Sequence, residues 1–179
     1  MRQPPVNRLE HITALPLSSE AYAPYGDVIA ARPDMDYSPA NQGTARRYDD
    51  VAQLKNLRAH ITQPGVKIFH CTPATSFPFE VKLLEKHPNS SQIFIPLKDV
   101  ERYLVIVALG GDQPDLSTMR AFVVPQSTGI SYRPGVWHHP MIALDKAGDF
   151  VSLVYNDGGP GDCEEFYLKS PYALTLNRR

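Results

Sequence analysis

Proline limits what this chain can fold into more than any other residue. Seventeen of its 179 residues are Pro, against the roughly 5% common in proteins. They are spread along the chain rather than clustered, so they do not make a polyproline linker. Each fixes its own backbone φ and removes a hydrogen-bond donor, which excludes long helices. Hydrophobic residues nevertheless make up 42% of the chain, enough for a real core and too many for a disordered protein. A chain that must bury a core from short pieces points to β-structure. Its length fits one domain over residues 1–179.

The local signals agree. Short runs rich in β-branched and aromatic residues follow one another from residue 58 on. They are Arg58 to Thr62, Val66 to Thr72, Phe79 to Glu85, Gln92 to Pro96, Tyr103 to Leu109, Arg120 to Val124, Gly129 to Tyr132, Met141 to Leu144, Phe150 to Asn156 and Glu164 to Leu168. Gly, Pro, Asn or Asp bounds each run and supplies the turn geometry. Phe79-Glu80-Val81-Lys82-Leu83 alternates as a half-buried strand should, whereas Tyr103-Leu-Val-Ile-Val-Ala reads as buried on both faces. Earlier in the chain, Ser18 caps about one helical turn that Pro24 and Gly26 stop, and Asp27 to Ala31 reads as a short strand. Pro33 to Asp50 is a long functional loop or a strand arm, and Val51 to Leu57 a turn or two of helix. About ten strands with almost no helix predict a sandwich or barrel, and closure would remove exposed edges.

Charge and signals narrow the function classes. Lys and Arg number 18 against 19 Asp and Glu, so neither a nucleic-acid nor an anionic membrane surface is expected. The longest apolar run, Tyr103 to Leu109, is far short of the roughly 20 residues of a membrane helix. The opening MRQPPVNRLEHI has no apolar signal region, and the closing TLNRR no common sorting signal. Two cysteines, Cys71 and Cys163, form neither a metal motif nor a disulfide framework, so a reducing cytoplasmic setting is expected. Cys71 reads as core and Cys163 as a bystander.

Two stretches could carry chemistry. The first is Glu85-Lys86-His87-Pro88-Asn89-Ser90-Ser91-Gln92-Ile93-Phe94-Ile95-Pro96, and the second is Gly129-Ile130-Ser131-Tyr132-Arg133-Pro134-Gly135-Val136-Trp137-His138-His139-Pro140. Glu85 and His87 are two apart at a strand end, so they face one side. A hairpin return would bring Gln92 beside His87, and His138 after the Pro-Gly turn supplies a fourth group. A carboxylate, two imidazoles and an amide oxygen make a mixed N/O site suited to a divalent first-row ion such as Ni, Mn, Fe or Zn. The ordinary readings stand beside this. Glu85 could pair with Lys82 or Lys86, Gln92 could be a bonded core amide, and Trp137 reads as packing. His11, His60 and His70 read as ordinary histidines. His138 and His139 are neighbours that face opposite ways on a strand, and His138 is the better inward candidate.

This spacing resembles the cupin superfamily, whose first motif runs His, one residue, His, three or four residues, Glu. Glu85, His87 and Gln92 stand at those places, and Pro134-Gly135-Val136-Trp137-His138 resembles the second motif without its Pro–Gly spacer. More closely, an ordered set of segments is similar to the ureidoglycolate lyase family. It comprises Tyr25-Gly26-Asp27-Val28-Ile29, Asn41-Gln42-Gly43 with Arg47-Tyr48, Leu84 to Pro96, Ala108-Leu109-Gly110, Pro114-Asp115-Leu116, Arg120-Ala121-Phe122, Gly135 to Pro140, Asp149-Phe150 and Asp162-Cys163-Glu164-Glu165. Bacterial members carry Asp-Arg-Gly where this chain has Tyr155-Asn156-Asp157-Gly158. That difference and a longer N-terminal arm suggest a fungal-type member.

The resemblance implies a cupin-like jelly-roll barrel, mainly β with few short helices. It implies cleavage of (S)-ureidoglycolate to glyoxylate and urea in allantoin breakdown, by a homodimer with a divalent metal such as Ni2+. On that reading Glu85, His87, Gln92 and His138 hold the metal, and His139 or Tyr132 is the acid or base beside His138. Arg47 clamps the substrate carboxylate, while Asn41 and Ser91 bond the urea amide. The rival readings are a ureidoglycolate amidohydrolase releasing ammonia and CO2, a non-catalytic cupin binding a small acid, and another cupin chemistry such as sugar isomerisation.

Overall fold

A computed structural model describes residues 9–177. The N-terminal arm ahead of residue 9, and residues 178–179, lie outside the described residues. The strands are β1 (Glu10–Pro16), β2 (Val28–Ile29), β3 (Ser38–Ala40), β4 (Ala45–Arg47), β5 (Pro64–Cys71), β6 (Phe79–Lys86), β7 (Gln92–Lys98), β8 (Tyr103–Ala108), β9 (Arg120–Val124), β10 (Gly129–Tyr132), β11 (Trp137–His138), β12 (Ile142–Ala143), β13 (Gly148–Tyr155) and β14 (Glu164–Leu176). One helical turn, α1 (Ser19–Tyr22), and two 3-10 turns complete the described elements. No helix among the described residues is long and apolar enough to cross a membrane.

The strands pair into a closed mixed barrel. β11 pairs with both β6 and β8, so β6, β14, β1, β9, β8 and β11 form a ring, with β12 added along β8. β1 runs parallel to both its neighbours, β14 and β9. Against this ring lies a five-stranded antiparallel sheet in the order β2-β10-β7-β13-β5. β3 and β4 make a separate small hairpin.

Strand alternation divides the core in two. Leu104, Ile106 and Ala108 of β8 join Ala14, Leu84, Ala121, Trp137 and Leu174 within the ring. Tyr103, Val105 and Val107 point the other way and pack with Phe94, Ile130, Tyr132 and Phe150 of the five-stranded sheet. All six β8 residues are therefore buried, as the unbroken apolar run predicts. The mainly-β expectation holds.

The early turn forms as its cap dictates, with the Ala21 N–H donating to Ser18 Oγ at 3.2 Å. The Gly26 that follows has a steric reason. A Cβ there would lie 1.7 Å from the Ser131 carbonyl oxygen, to which the buried Tyr22 hydroxyl also donates at 3.0 Å.

Three expectations need correction. β6 and β7 are not a hairpin, because they belong to different sheets and residues 87–91 carry the chain across. Val51 to Leu57 is not helical, because its backbone serves that crossing. Lys55 N–H donates to Ser91 Oγ at 2.6 Å, Ser91 N–H to the Lys55 carbonyl, and Leu57 N–H to the Asn89 carbonyl. Arg58 to Thr62 is not a strand, since Arg58 folds inward onto a distant loop. Pro33 to Asp50 carries the β3–β4 hairpin, in line with the strand-arm alternative. Two strands, β1 and β11, carried no sequence signal strong enough to be expected.

Candidate active site

The site forms where β6 leaves the ring for the five-stranded sheet. Glu85 of β6 and His138 of β11 are direct cross-strand partners, so their side chains share a face. Leu84 and Trp137, the residues before each, point into the ring. Glu85 and His138 therefore face the five-stranded sheet, where the Tyr132 ring stacks on His138 at 4.0 Å and 10°. His87 sits one residue beyond β6. Its carbonyl accepts from the Gly135 N–H at 2.9 Å, which joins the two sequence motifs. Gly135 takes φ +78° in that turn, a conformation glycine reaches without steric cost.

Three candidate ligand atoms converge. One from each of Glu85, His87 and His138 lies within 4.8 Å of the others. The neighbouring hydrogen bonds set the imidazole tautomers. His87 Nδ1 lies 2.5 Å from the Asp162 carbonyl, and His138 Nδ1 lies 3.0 Å from the Val136 carbonyl. A carbonyl only accepts, so each Nδ1 carries the proton and each Nε2 keeps a free lone pair. Both Nε2 atoms are buried without a hydrogen-bond partner, although His138 Nε2 is 3.5 Å from Glu85 Oε1. Gln92 Oε1 is likewise buried and unpartnered. Gln92 lies opposite Tyr132 in register, which puts it on the same inner face. Buried polar atoms without partners are rare and call for an explanation. Here three of them belong to the residues expected to hold a metal, and the donor set of imidazole, carboxylate and amide oxygen suits a divalent first-row ion.

The electrostatics fit the same use. Burial raises the Glu85 carboxyl pKa, but the nearness of His138, His87 and His139 outweighs it. The net shift is downward and the carboxylate stays ionised. Burial first, and then the nearness of His138, push His87 down, against the pull of the Asp162 carbonyl and Glu85, so its imidazole stays neutral. Burial first, and then the Glu85 charge, raise Tyr132 far above the ordinary phenol range. Tyr132 can donate a hydrogen bond but holds its proton.

Comparison with known proteins decides the family. A profile described as "Ureidoglycolate lyase" matches residues 9–175. The chain belongs to the ureidoglycolate lyase family. It is 40% identical over 174 residues to a ureidoglycolate lyase of Burkholderia cepacia, covering 96% of this chain and 92% of that protein. Over 153 residues it is 40% identical to the ureidoglycolate lyases of Escherichia coli K12 and Shigella boydii serotype 18, covering 86% of this chain and 91% of each.

Within this ureidoglycolate lyase fold the other expected site residues are dispersed. His139 lies across β11 from His138, with Nδ1 2.8 Å from the Pro140 carbonyl and its ring edge-on to Phe79 at 5.5 Å. Arg47 is 64% exposed on the β3–β4 hairpin and pairs with Asp49 at 2.8 Å. Asn41 is exposed at that hairpin's tip with φ 51°. Neither contacts Glu85, His87 or His138. Ser91 is buried, but its hydroxyl accepts from Lys55 N–H and donates to the Gln53 carbonyl, so it clamps the 53–55 loop. The ordinary readings of Glu85 do not hold, because Lys82 pairs with Glu80 at 2.8 Å and Lys86 with Glu164 at 3.0 Å.

Three residues at the site were not expected there. Arg58, with its side chain 5% exposed, pairs with Asp157 at 3.2 Å and with Asp162, and donates to the Tyr155 carbonyl at 3.0 Å. Asp162 accepts from the Asp157 and Gly158 N–H groups at 3.0 and 2.8 Å, while its own carbonyl faces His87. Cys163, expected away from the site, has its Sγ 3.9 Å from Glu85 Oε2. Only the Asp-Cys-Glu-Glu segment hinted at the last two, and nothing in the sequence marks Arg58.

Proposed function

We propose that this protein cleaves ureidoglycolate into glyoxylate and urea. Family membership supports the reaction. The observation that carries the site is the set of three buried, unpartnered ligand atoms beside an ionised Glu85. In the substrate one carbon bears a carboxylate, a hydroxyl and a urea nitrogen. Breaking its C–N bond turns the C–O bond into a carbonyl and moves one proton from oxygen to the departing nitrogen. Glu85 is the ionised group on this face. One of its oxygens takes the hydroxyl proton and returns it to nitrogen, so no net proton is consumed. Tyr132 donates a hydrogen bond to the charge that develops. His139, on the far side of β11, is left out of this proton transfer.

Glu85, His87, His138 and Gln92 would hold a divalent ion, with Ni2+ the first to try. When bound it acts as a Lewis acid toward substrate oxygen. The two free cysteines are in keeping with a reducing cytoplasmic location.

We read the assembly as a homodimer. Val66 and Ile68 of the edge strand β5 are 69% and 58% exposed, and Val151 of β13 carries this apolar row across to Ile95 of β7. An antiparallel edge strand can pair with its own symmetry mate and cover that row on both copies. Light scattering on the wild type and on Ile68→Lys tests it. A dimer that Ile68→Lys dissociates is expected, and a monomeric wild type overturns the reading.

Product analysis tests the reaction. Purified protein loaded with Ni2+ should release glyoxylate and urea in equal amounts above the spontaneous background, and His87→Ala and His138→Ala should abolish the excess. Ammonia in place of urea would move the function to an amidohydrolase. Binding without turnover under any divalent ion would make the protein a small-acid binder.

A further inference from the structure

Ureidoglycolate carries one negative charge, and Arg47, the cation first considered for it, is committed elsewhere, as are two cations nearer the site. Arg47 is held by Asp49 on the outer hairpin. Arg58 is buried against two aspartates. Lys86 is tied to Glu164, to the Gly111 carbonyl and to the face of Trp137.

We propose that Lys67 of β5 is the cation that holds the substrate carboxylate, with the Ser152 hydroxyl beside it. The inference rests on the reaction proposed above. Lys67 is the cross-strand partner of Ser152 on β13, which in turn partners Phe94 on β7. Ser152 and Phe94 are buried, so this row lies on the inner face. Phe69, two residues along β5, confirms the facing by packing edge-on to Phe94 at 5.3 Å. Lys67 is thus an edge-strand lysine whose stem starts on the inner side and whose head reaches the rim. With the Asn156 amide turned to satisfy both its neighbours, the Lys67 ammonium donates to its oxygen at 2.8 Å.

Among the described residues no carboxylate pairs with this ammonium, so it is free to take one from a ligand. It lies near enough to the metal-binding face for its charge to act on both His87 and Cys163. Ser152 adds an independent observation. Its hydroxyl is completely buried and has no hydrogen-bond partner, and it sits on the same inner face as Gln92, two cross-strand rows away. An unpartnered buried hydroxyl on the residue opposite Lys67, and an ammonium without a carboxylate partner, would give a carboxylate two points of attachment. It leaves the substrate hydroxyl and urea nitrogen to the Glu85 side.

The test separates charge from shape and does not require turnover. Glycolate and its neutral isostere glycolamide are titrated calorimetrically into wild type, Lys67→Met, Lys67→Arg and Ser152→Ala. Ni2+ affinity is measured on each protein as a control. Losing one charge-assisted contact predicts about a tenfold loss of glycolate affinity in Lys67→Met. Glycolamide and Ni2+ binding should be unchanged, and Lys67→Arg should recover most of the loss. In turnover, Lys67→Met should raise KM for ureidoglycolate and leave kcat nearly unaltered. Unchanged glycolate affinity in Lys67→Met overturns the proposal, and unchanged affinity in Ser152→Ala removes Ser152 from it. If the wild type does not cleave ureidoglycolate, the reaction fails, but the glycolate and glycolamide comparison still decides the role of Lys67.

Discussion

Replacing Arg58 by Met should damage stability and metal binding together. The guanidinium is 5% exposed and reaches three acceptors, namely the Asp157 carboxylate at 3.2 Å, the Tyr155 carbonyl at 3.0 Å and the Asp162 carboxylate. Removing one partner of a buried ion pair costs about 3–5 kcal/mol. Asp162 would keep the Asp157 and Gly158 N–H groups, and Asp157 would keep the Gly159 N–H at 2.9 Å and His60 at 3.0 Å. Those contacts put the expected loss at the low end, about 3 kcal/mol. With a urea m-value of about 2 kcal/mol/M, the midpoint should fall by about 1.5 M. The Asp162 carbonyl also orients His87, and disturbing such an outer partner costs about 10–100-fold in metal affinity. Equilibrium urea unfolding and a Ni2+ titration on the same preparations measure both effects. Lys in place of Arg should restore part of the stability, because it keeps the charge and loses the fork. A stability loss under about 1 kcal/mol with unchanged Ni2+ affinity would show that the loop holds His87 without Arg58, and the reasoning would fall.

Other perturbations test the fold and the charge at the site. Gly26→Ala should cost about 2 kcal/mol or more in thermal unfolding, because its Cβ meets the Ser131 carbonyl at 1.7 Å and the neighbouring backbone must move. Leu104→Ala should cost about 2–5 kcal/mol, since Leu104 is 1% exposed inside the ring. Burial, followed by Glu85 and Glu165, pushes the Cys163 thiol up to about 11. The reactive thiolate is therefore scarce at neutral pH and grows as pH rises toward that value. Iodoacetamide should label Cys163 slowly at pH 8, and Glu85→Gln should accelerate the labelling; equal rates in the two proteins would remove the Glu85 influence.

What the sequence showed and what it hid divide along the range of the interactions. Strand runs bounded by Pro and Gly were legible because turn chemistry and alternation are local. β8 is the clearest case, buried on both faces as its unbroken apolar run requires. The Ser18 cap and the opposite facing of His138 and His139 were legible for the same reason. Arg58 was not, because its partners lie 97 to 104 residues away in the chain. The 51–57 segment has helix-compatible residues, yet the Ser91 hydroxyl and the Asn89 carbonyl claim its backbone. Arg47 stood out as a guanidinium in a family motif, but motif membership does not tell a side chain held by Asp49 from one free to meet substrate. Lys67 carried no motif at all, and only its register opposite Ser152 reveals its facing.

The fold also explains how a site can rest on a strand of two residues. β11 has too few hydrogen bonds to persist alone, but it closes the ring, with β6 on one side and β8 on the other. His138 is thereby pinned twice in register, opposite Glu85 and opposite Val107. Trp137 fills the ring core on one face, so His138 must present its imidazole on the other. A one-residue slip would put the indole against Tyr132 and the imidazole into the apolar ring, exchanging a favourable burial for a buried polar group. Holding His87, His138 and Gln92 with unpartnered atoms has its own cost, about 1–3 kcal/mol for each. That cost falls on the residues that share a face with Glu85 or with Tyr132, while the surrounding apolar core carries the stability. A ligand that met those atoms would recover part of it on binding. Metal binding should therefore raise the unfolding temperature of the wild type and not that of a protein lacking both histidines.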